Sequence, residues 1–191
     1  MRVLQTFDRE KFPYSFQATI TARVVSQMPA IVRYWAKRTH PQFVKFEPVS
    51  DCGRFLGNRK EIPNGLEFAR SFNTAFDLAQ QLGLRLTFSG IRLWDAAVGY
   101  FCGAFAEPFA VTPDGHVSAC YEAYSAQTPY ASVFLFGRWN PAKRSFGFDL
   151  KKLERLRRRN VYTLKPCRWC FCKYSCGGDC VTRNFRLADK P

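Results

Sequence analysis

Residues 14–21 (YSFQATIT) alternate in polarity, with Phe16, Ala18 and Ile20 set against Gln17, Thr19 and Thr21. A period of two with unlike faces predicts a strand. Residues 26–37 (SQMPAIVRYWAK) change rhythm: Ser26 is a capping residue, Pro29 suits a first turn, and Ile31, Tyr34 and Trp35 recur at helical spacing. Residues 43–48 (FVKFEP) read as a short strand stopped by Pro48. Over 65–82 the apolar positions Leu66, Ala69, Phe72, Phe76, Ala79 and Leu82 predict a long helix, which Gly83 ends. Alternation resumes over 84–89 (LRLTFS), so the first 90 residues read βαβαβ.

That order predicts a parallel sheet with its crossover helices on one face. The other face would carry Gln17, Thr19, Thr21, Lys45, Glu47, Arg85, Thr87 and Ser89. A polar face of this kind is either the ligand-lined interior of a barrel or the solvated side of an open sheet, and the pattern leaves both readings open. Three strands do not close a barrel by themselves.

Past Gly90 the chain becomes richer in glycine, proline and aromatic residues and holds seven of the eight cysteines. This predicts a second domain organised by metal. One further helix is legible, over 149–159 (DLKKLERLRRR), with Leu150, Leu153 and Leu156 on one stripe and basic residues opposite. The basic face reads as solvated, and it lacks the interleaved aromatics of a nucleic-acid platform.

The chain of 191 residues is long enough for one domain or two small ones, and its 47% hydrophobic content with 19 Phe can fill a core, which excludes disorder. No apolar run reaches the roughly 20 residues of a membrane helix. Residues 1–12 mix charged with apolar residues and show no signal-peptide pattern. A soluble, cytoplasmic protein without a membrane partner is expected. The net charge of +14 favours anionic partners without choosing among nucleic acid, acidic peptides and phosphate-bearing cofactors. In a reducing compartment cysteines serve as metal ligands or reactive thiols more often than as disulfides.

Their spacing is the most specific signal. Cys167-x2-Cys170-x5-Cys176-x3-Cys180, with Cys172 between, packs five thiols into 14 residues, and Gly177 and Gly178 permit tight turns among them. Crowded thiolates suit zinc or iron–sulfur clusters. Upstream, Cys102-x12-Gly115-x4-Cys120 contains a Pro113-Asp114-Gly115 turn that would bring two more thiols together across a hairpin.

This arrangement, C-x12-G-x4-C followed by C-x2-C-x5-C-x3-C, resembles the SPASM domain, the cysteine-rich extension of many radical S-adenosylmethionine enzymes. The phrases FAVTPDGHVSACYE and CFCKYSCGGDC are similar to that family's first hairpin and C-terminal cluster loop. Residues 1–99 resemble the second half of the family's partial (β/α)6 barrel, with QATIT, FEP and LTFSG as its last three strands, and 100–191 resemble the SPASM domain. The fold class expected is thus α/β, a partial (β/α) barrel segment followed by a small iron–sulfur domain.

The resemblance implies one auxiliary [4Fe-4S] cluster on Cys102, Cys120 and Cys180 and another on Cys167, Cys170 and Cys176. In the family a further cysteine downstream completes the second cluster, and none follows Cys180 here. Cys172 is either a substitute for it or a spare thiol, and Cys52 reads as a core or loop residue. The resemblance also implies a peptide or protein substrate, whose radical the clusters would oxidise or which they would bind. Phe101, Trp169, Phe171 and Tyr174 are candidates for the clusters' surroundings. Gln17, Thr19, Glu47 and Arg85 would line the barrel near S-adenosylmethionine.

The family's radical-generating triplet, C-x3-C-x2-C, is absent from this sequence. Catalysis by this chain alone is therefore not expected. The chain reads as the C-terminal part of such an enzyme, a truncated gene product or a split subunit needing an N-terminal partner or half-barrel. The competing reading is a non-enzymatic module with one zinc on Cys167, Cys170, Cys176 and Cys180 and a basic surface for nucleic acid. It gives Cys102 and Cys120 no role. A thiol oxidoreductase using Cys167 and Cys170 is poorer still, because that motif belongs at the start of a helix in a thioredoxin-like unit.

Overall fold

The computed structural model describes residues 2–90, 97–105 and 109–187. Two units hold the chain's internal contacts, Met1–Ser89 and Gly90–Pro191. The division therefore falls earlier than the expected 99/100. Hydrogen bonds from the Val98 N–H to the Tyr174 carbonyl and from the Val161 N–H to the Gly99 carbonyl, each 2.9 Å, tie residues 98 and 99 to the later part of the chain.

The first unit is mixed α/β. It runs α1 (Arg2–Arg9), β1 (Phe16–Ile20), α2 (Met28–Ala36), β2 (Val44–Pro48), α3 (Gly65–Gln81) and β3 (Leu86–Thr87). The three strands form one parallel sheet in the order β1-β2-β3, which is open and not a closed barrel. Ile20, Val44, Phe46 and Leu86 are buried on one face. The helices cover that face through their rings: Trp35 of α2 stacks on Phe16 at 4.7 Å, and Phe68 and Phe72 of α3 meet Phe88 at 5.5 and 5.0 Å. Asn64 caps α3, its Oδ1 accepting from the Leu66 and Glu67 N–H groups.

The buried stripe of α3 is Phe68, Phe72, Ala75 and Ala79, whereas Leu66 and Leu82 are exposed. The expected stripe began with two steps of three, which drift away from a 3.6-residue turn, while 68-72-75-79 follows it. In the predicted helix over 26–37, Met28 and Val32 are the buried positions and Tyr34 is exposed. Helix α1 was not anticipated. Tertiary contacts hold it: the Phe7 ring lies 4.8 Å from that of Phe12 and 5.6 Å from that of Tyr14, and the Tyr14 hydroxyl donates to Asp8 Oδ1 at 2.6 Å.

The second unit is built on a four-stranded antiparallel sheet, β4 (Ala110–Val111), β5 (His116–Ser118), β6 (Leu135–Asn140) and β7 (Ser145–Phe148), in that order. Helix α4 (Ala131–Phe134) leads directly into β6, and α5 (Leu150–Arg157), α6 (Lys173–Cys176) and α7 (Val181–Leu187) follow the sheet. Val117, Phe134, Leu135, Phe136, Leu156 and Val181 form the centre of its core, and Cys102 and Cys120 pack against that core. Asp149 caps α5 by accepting from the Lys152 N–H at 2.9 Å. Of the leucines expected on its apolar stripe, Leu156 is buried and Leu150 is exposed. Among the described residues no helix is long and apolar enough to cross a membrane.

Candidate metal centre

The turn between β4 and β5 sets the position of Cys120. Thr112, Asp114 and His116 lock it: the Thr112 hydroxyl donates to Asp114 Oδ1, the His116 N–H donates to Thr112 Oγ1 at 2.9 Å, and Asp114 Oδ2 accepts from the Ala126 N–H. The Thr112 hydroxyl, with His116 beside it, holds the Asp114 carboxyl at about 2. His116 Nδ1 stands 3.1 Å from Asp114 Oδ1 but is not aligned for a hydrogen bond. Beyond β5 the Ser118 hydroxyl donates to the Cys120 carbonyl at 2.7 Å, and the Ala123 N–H donates to the same carbonyl.

Burial pushes the Cys120 thiol up to about 11, and the neighbouring thiols Cys180 and Cys102 add to the shift. Cys102 and Cys180, both distant from Cys120 in sequence, therefore lie within electrostatic reach of it. Cys180 is half-buried, with its Sγ 2.9 Å from Thr182 Oγ1, and is followed by the buried Val181.

A second group lies within the C-terminal loop. Burial raises the Cys167 thiol, as do its neighbours Cys176 and Cys170, while Lys173 and Arg159 oppose them. Cys172 Sγ stands 3.4 Å from Cys170 Sγ. Its thiol is raised by that hydrogen bond, then by burial, and by the proximity of Cys170 and Cys176. Cys172 thus belongs to this group spatially, which its sequence position left open.

The backbone between the last two cysteines is unusual. Gly177, Gly178 and Asp179 are consecutive left-handed residues, with φ of 68°, 86° and 60°. Glycine adopts this conformation freely and other residues rarely do, so the run makes the backbone between Cys176 and Cys180 irregular. The space is as demanding as the angle. A Cβ on Gly177 would stand 2.6 Å from the Tyr100 carbonyl carbon and 2.8 Å from the Phe101 nitrogen, and one on Gly178 would stand 2.8 Å from Leu164 Cδ1. The loop therefore lies directly on the segment that leads into Cys102. The GYFC phrase before Cys102 was the only sequence signal of that approach.

No disulfide joins any of the eight cysteines. As the side chains stand, no group of three or more His, Cys, Asp or Glu among the described residues is arranged to hold a single metal ion. A tetrahedral zinc draws its four sulfurs to about 2.3 Å from one point. A cluster attaches each thiolate to a different iron and so takes its ligands from a wider circle. All seven cysteines from Cys102 to Cys180 are half-buried, and thiolates of that kind are the donor type that zinc and iron–sulfur clusters take.

Of the expected cluster surroundings, Trp169 and Phe171 are 86% and 99% exposed and turn to solvent instead. Arg168 lies over the Trp169 ring at 5.1 Å and Lys173 over the Tyr174 ring at 5.0 Å. Cys52 lies apart from both thiol groups in sequence and contacts Ser50 Oγ at 3.2 Å.

In the first unit the register pairs Gln17 with Lys45 and Thr19 with Glu47, and Lys45 with Thr87. Gln17, Thr19, Glu47 and Arg85 thus share the face opposite the helices, by the alternation of side chains along a strand. Gln17, Thr19 and Arg85 are exposed. Glu47 is engaged: its Oε1 accepts from the Ser89 N–H at 2.8 Å and from the Ser89 hydroxyl, and pairs with Lys45 Nζ at 3.0 Å.

No protein-family model matches the chain, and no curated protein matches it significantly.

Proposed function

We propose that this chain is the auxiliary-cluster part of a radical S-adenosylmethionine enzyme of the SPASM type, acting on a peptide or protein. The observation that supports the proposal is that Cys102 and Cys180 act on Cys120, while Cys170 and Cys176 act on Cys167 and Cys172. Cys102, Cys120 and Cys180 would hold one [4Fe-4S] cluster. Cys167, Cys170 and Cys176 would hold the second. Such clusters, when bound, supply an electron acceptor for a substrate radical or an open iron for the substrate itself.

On this reading the chain's own residues have plain tasks. The Thr112-Asp114-His116 turn fixes Cys120, the left-handed run at 177–179 separates Cys180 from Cys176, and the core of the second unit shields Cys102 and Cys120 from water. The first unit is read as the second half of the partial barrel, with Gln17, Thr19, Glu47 and Arg85 facing the cofactor. The sequence holds no C-x3-C-x2-C, so activation of S-adenosylmethionine is proposed only together with a subunit or segment that carries that triplet.

The zinc-module alternative needs Cys180 beside Cys167, Cys170 and Cys176; the electrostatic influence of Cys180 on Cys120 supports the cluster reading instead. Anaerobic purification, reconstitution with iron and sulfide, and assay of iron, sulfide and zinc with visible and paramagnetic-resonance spectra test the proposal. Iron and inorganic sulfide in equal amounts with cluster spectra are expected. Zinc without sulfide under those conditions would overturn it in favour of the zinc module.

A further inference from the structure

A cavity of about 400 Å³ opens on the second unit between α4, α5 and the start of α7. Its floor is apolar: Val133, Leu156 and Val181 line it, and the last two are 5% and 2% exposed. Its rim is cationic, with Lys152, Arg155, Arg158 and Arg159 all from α5 and the turn that ends it. The size lies within the range of about 300–1,000 Å³ common for ligand pockets.

The charges on this rim are not balanced by the helix that bears them. The only acid within α5 is Glu154, and it is taken by Arg158 at 2.7 Å. Arg155 pairs with no acid among the described residues. Lys152 is held in place by donating its Nζ proton to the Leu135 carbonyl at 2.9 Å. Cations in a last turn are favoured by the helix dipole, which accounts for Arg155 and Arg157 but opposes Lys151 and Lys152 at the start. Like charges three and four residues apart also repel along one helix face. Arg155 therefore sits among like charges, a cost that an anion bound there would relieve.

The geometry points to this cavity as the docking site for an acidic peptide segment, with Lys152, Arg155 and Arg159 binding its carboxylates and the apolar floor receiving its aliphatic stems. From Lys152 to Arg159 the rim runs about 10 Å at the helical rise. An extended peptide covers that in about three residues, and its period of two turns alternate side chains to the same side. The matching ligand is a segment with acids at every second position and aliphatic residues near them. A nucleic acid is a poorer match because, among the described residues that line the cavity, none is an aromatic on which a base could stack.

The position is as informative as the chemistry. Val181 on the floor directly follows Cys180, and Arg159 on the rim is one of the charges that act on Cys167. A peptide held here would lie over Val181, the residue next to Cys180. The significance of that proximity rests on the proposed function, while the binding itself does not.

The test is fluorescence anisotropy at low salt with the full chain, its metal content recorded, and a fluorescein-labelled hexapeptide of alternating Glu and Val. The same peptide with Gln for Glu and a labelled hexathymidylate serve as comparators. Arg155→Glu, at an exposed position, is expected to weaken the acidic peptide about tenfold, the scale of one lost charge contact. Lys60→Glu changes net charge equally on the first unit and is expected to weaken it less than about twofold. Circular dichroism of both variants verifies that they are folded. Equal weakening by the two variants, equal binding of the Gln peptide, or tighter binding of the oligonucleotide would each overturn the inference. Protein that binds the peptide as expected yet takes up only zinc would remove the iron–sulfur reading and leave this one standing. Protein that takes up iron and sulfide but fails the Arg155 comparison would do the reverse.

Discussion

Gly177 lies so close to Tyr100 that a Cβ in its place would stand 2.6 Å from the Tyr100 carbonyl carbon and 2.7 Å from its oxygen. Both partners are backbone, so no side-chain rotation can make room. Gly83, at the end of α3, has the same φ of +68° with nothing within 4 Å. The two glycines separate the cost of the angle from the cost of the contact. Gly83→Ala should destabilise the first unit by about 1 kcal/mol, the price of a left-handed alanine. Gly177→Ala should cost the second unit about 2–4 kcal/mol, because the loop must also move off the Tyr100–Phe101 peptide. Urea unfolding followed for each unit measures both, and equal losses would show that the close approach adds nothing.

The Asp114 carboxyl predicts a pH dependence of known sign. Its folded value of about 2 lies below the ordinary 3.8, chiefly through the Thr112 hydroxyl. Above 3.8 the carboxyl is ionised whether the chain is folded or not, and the interactions that favour the ionised form contribute fully. As pH falls from 3.8 towards 2, the unfolded chain gains a proton that the folded one resists, and this contribution is lost. Thermal unfolding of the second unit should therefore show a stability decline across that interval. Asp114→Asn should flatten the decline. An unchanged slope in the variant would assign the acid sensitivity to other carboxyls.

Glu47 joins β2 to the residue after β3 through two hydrogen bonds from Ser89, with Lys45 on the same oxygen. Its side chain is only 19% exposed, so removing it leaves partners that water reaches poorly. Glu47→Ala should destabilise the first unit by about 1–3 kcal/mol. Glu47→Gln keeps an acceptor for Ser89 and loses only the attraction to a partly exposed Lys45, a loss of about 0.5–1 kcal/mol. Chemical denaturation of the two variants distinguishes anchoring by hydrogen bonds from anchoring by charge, since similar losses would make the ion pair the main element.

The first unit was legible because each of its signals is local. The alternation around Ala18, the helical period over 65–82 and the terminating Gly83 lie within or beside the elements they define. Helix α1 escaped because its partners are Phe12 and Tyr14, outside the helix. The hairpin of β6 and β7 escaped for a similar reason. Its stability comes from cross-strand rings, Trp139 on Phe146 at 5.0 Å and Phe136 on Phe148 at 6.1 Å, and its turn relies on Arg144 at a φ of 46° rather than on a glycine. The aromatic doublets on either side of NPAKR were the available signal. At the site, the spacing of the cysteines pointed to soft-metal chemistry, and only the family resemblance implied which thiols go together. Neither revealed the contact of Cys172 with Cys170, because side-chain direction in an irregular loop follows no period.

The division of the thiols can be tested on the metal itself. If Cys102, Cys120 and Cys180 hold one cluster and the Cys167 loop another, replacing all three of the first set with alanine should remove about half of the reconstituted iron and sulfide and leave the spectrum of the other cluster in place. Replacing Cys167, Cys170 and Cys176 should remove the other half. Cys172→Ala adds a finer distinction: as a ligand it would alter the paramagnetic-resonance signal of the second cluster alone, and as a spare thiol it would leave both signals unchanged. A single four-thiolate zinc site would behave otherwise. Cys180→Ala would then release the zinc held with Cys167, Cys170 and Cys176, and Cys120→Ala would release none. The outcome turns on which group Cys180 belongs to, and its electrostatic influence on Cys120, beyond the left-handed run at 177–179, favours loss of iron on substitution of either residue.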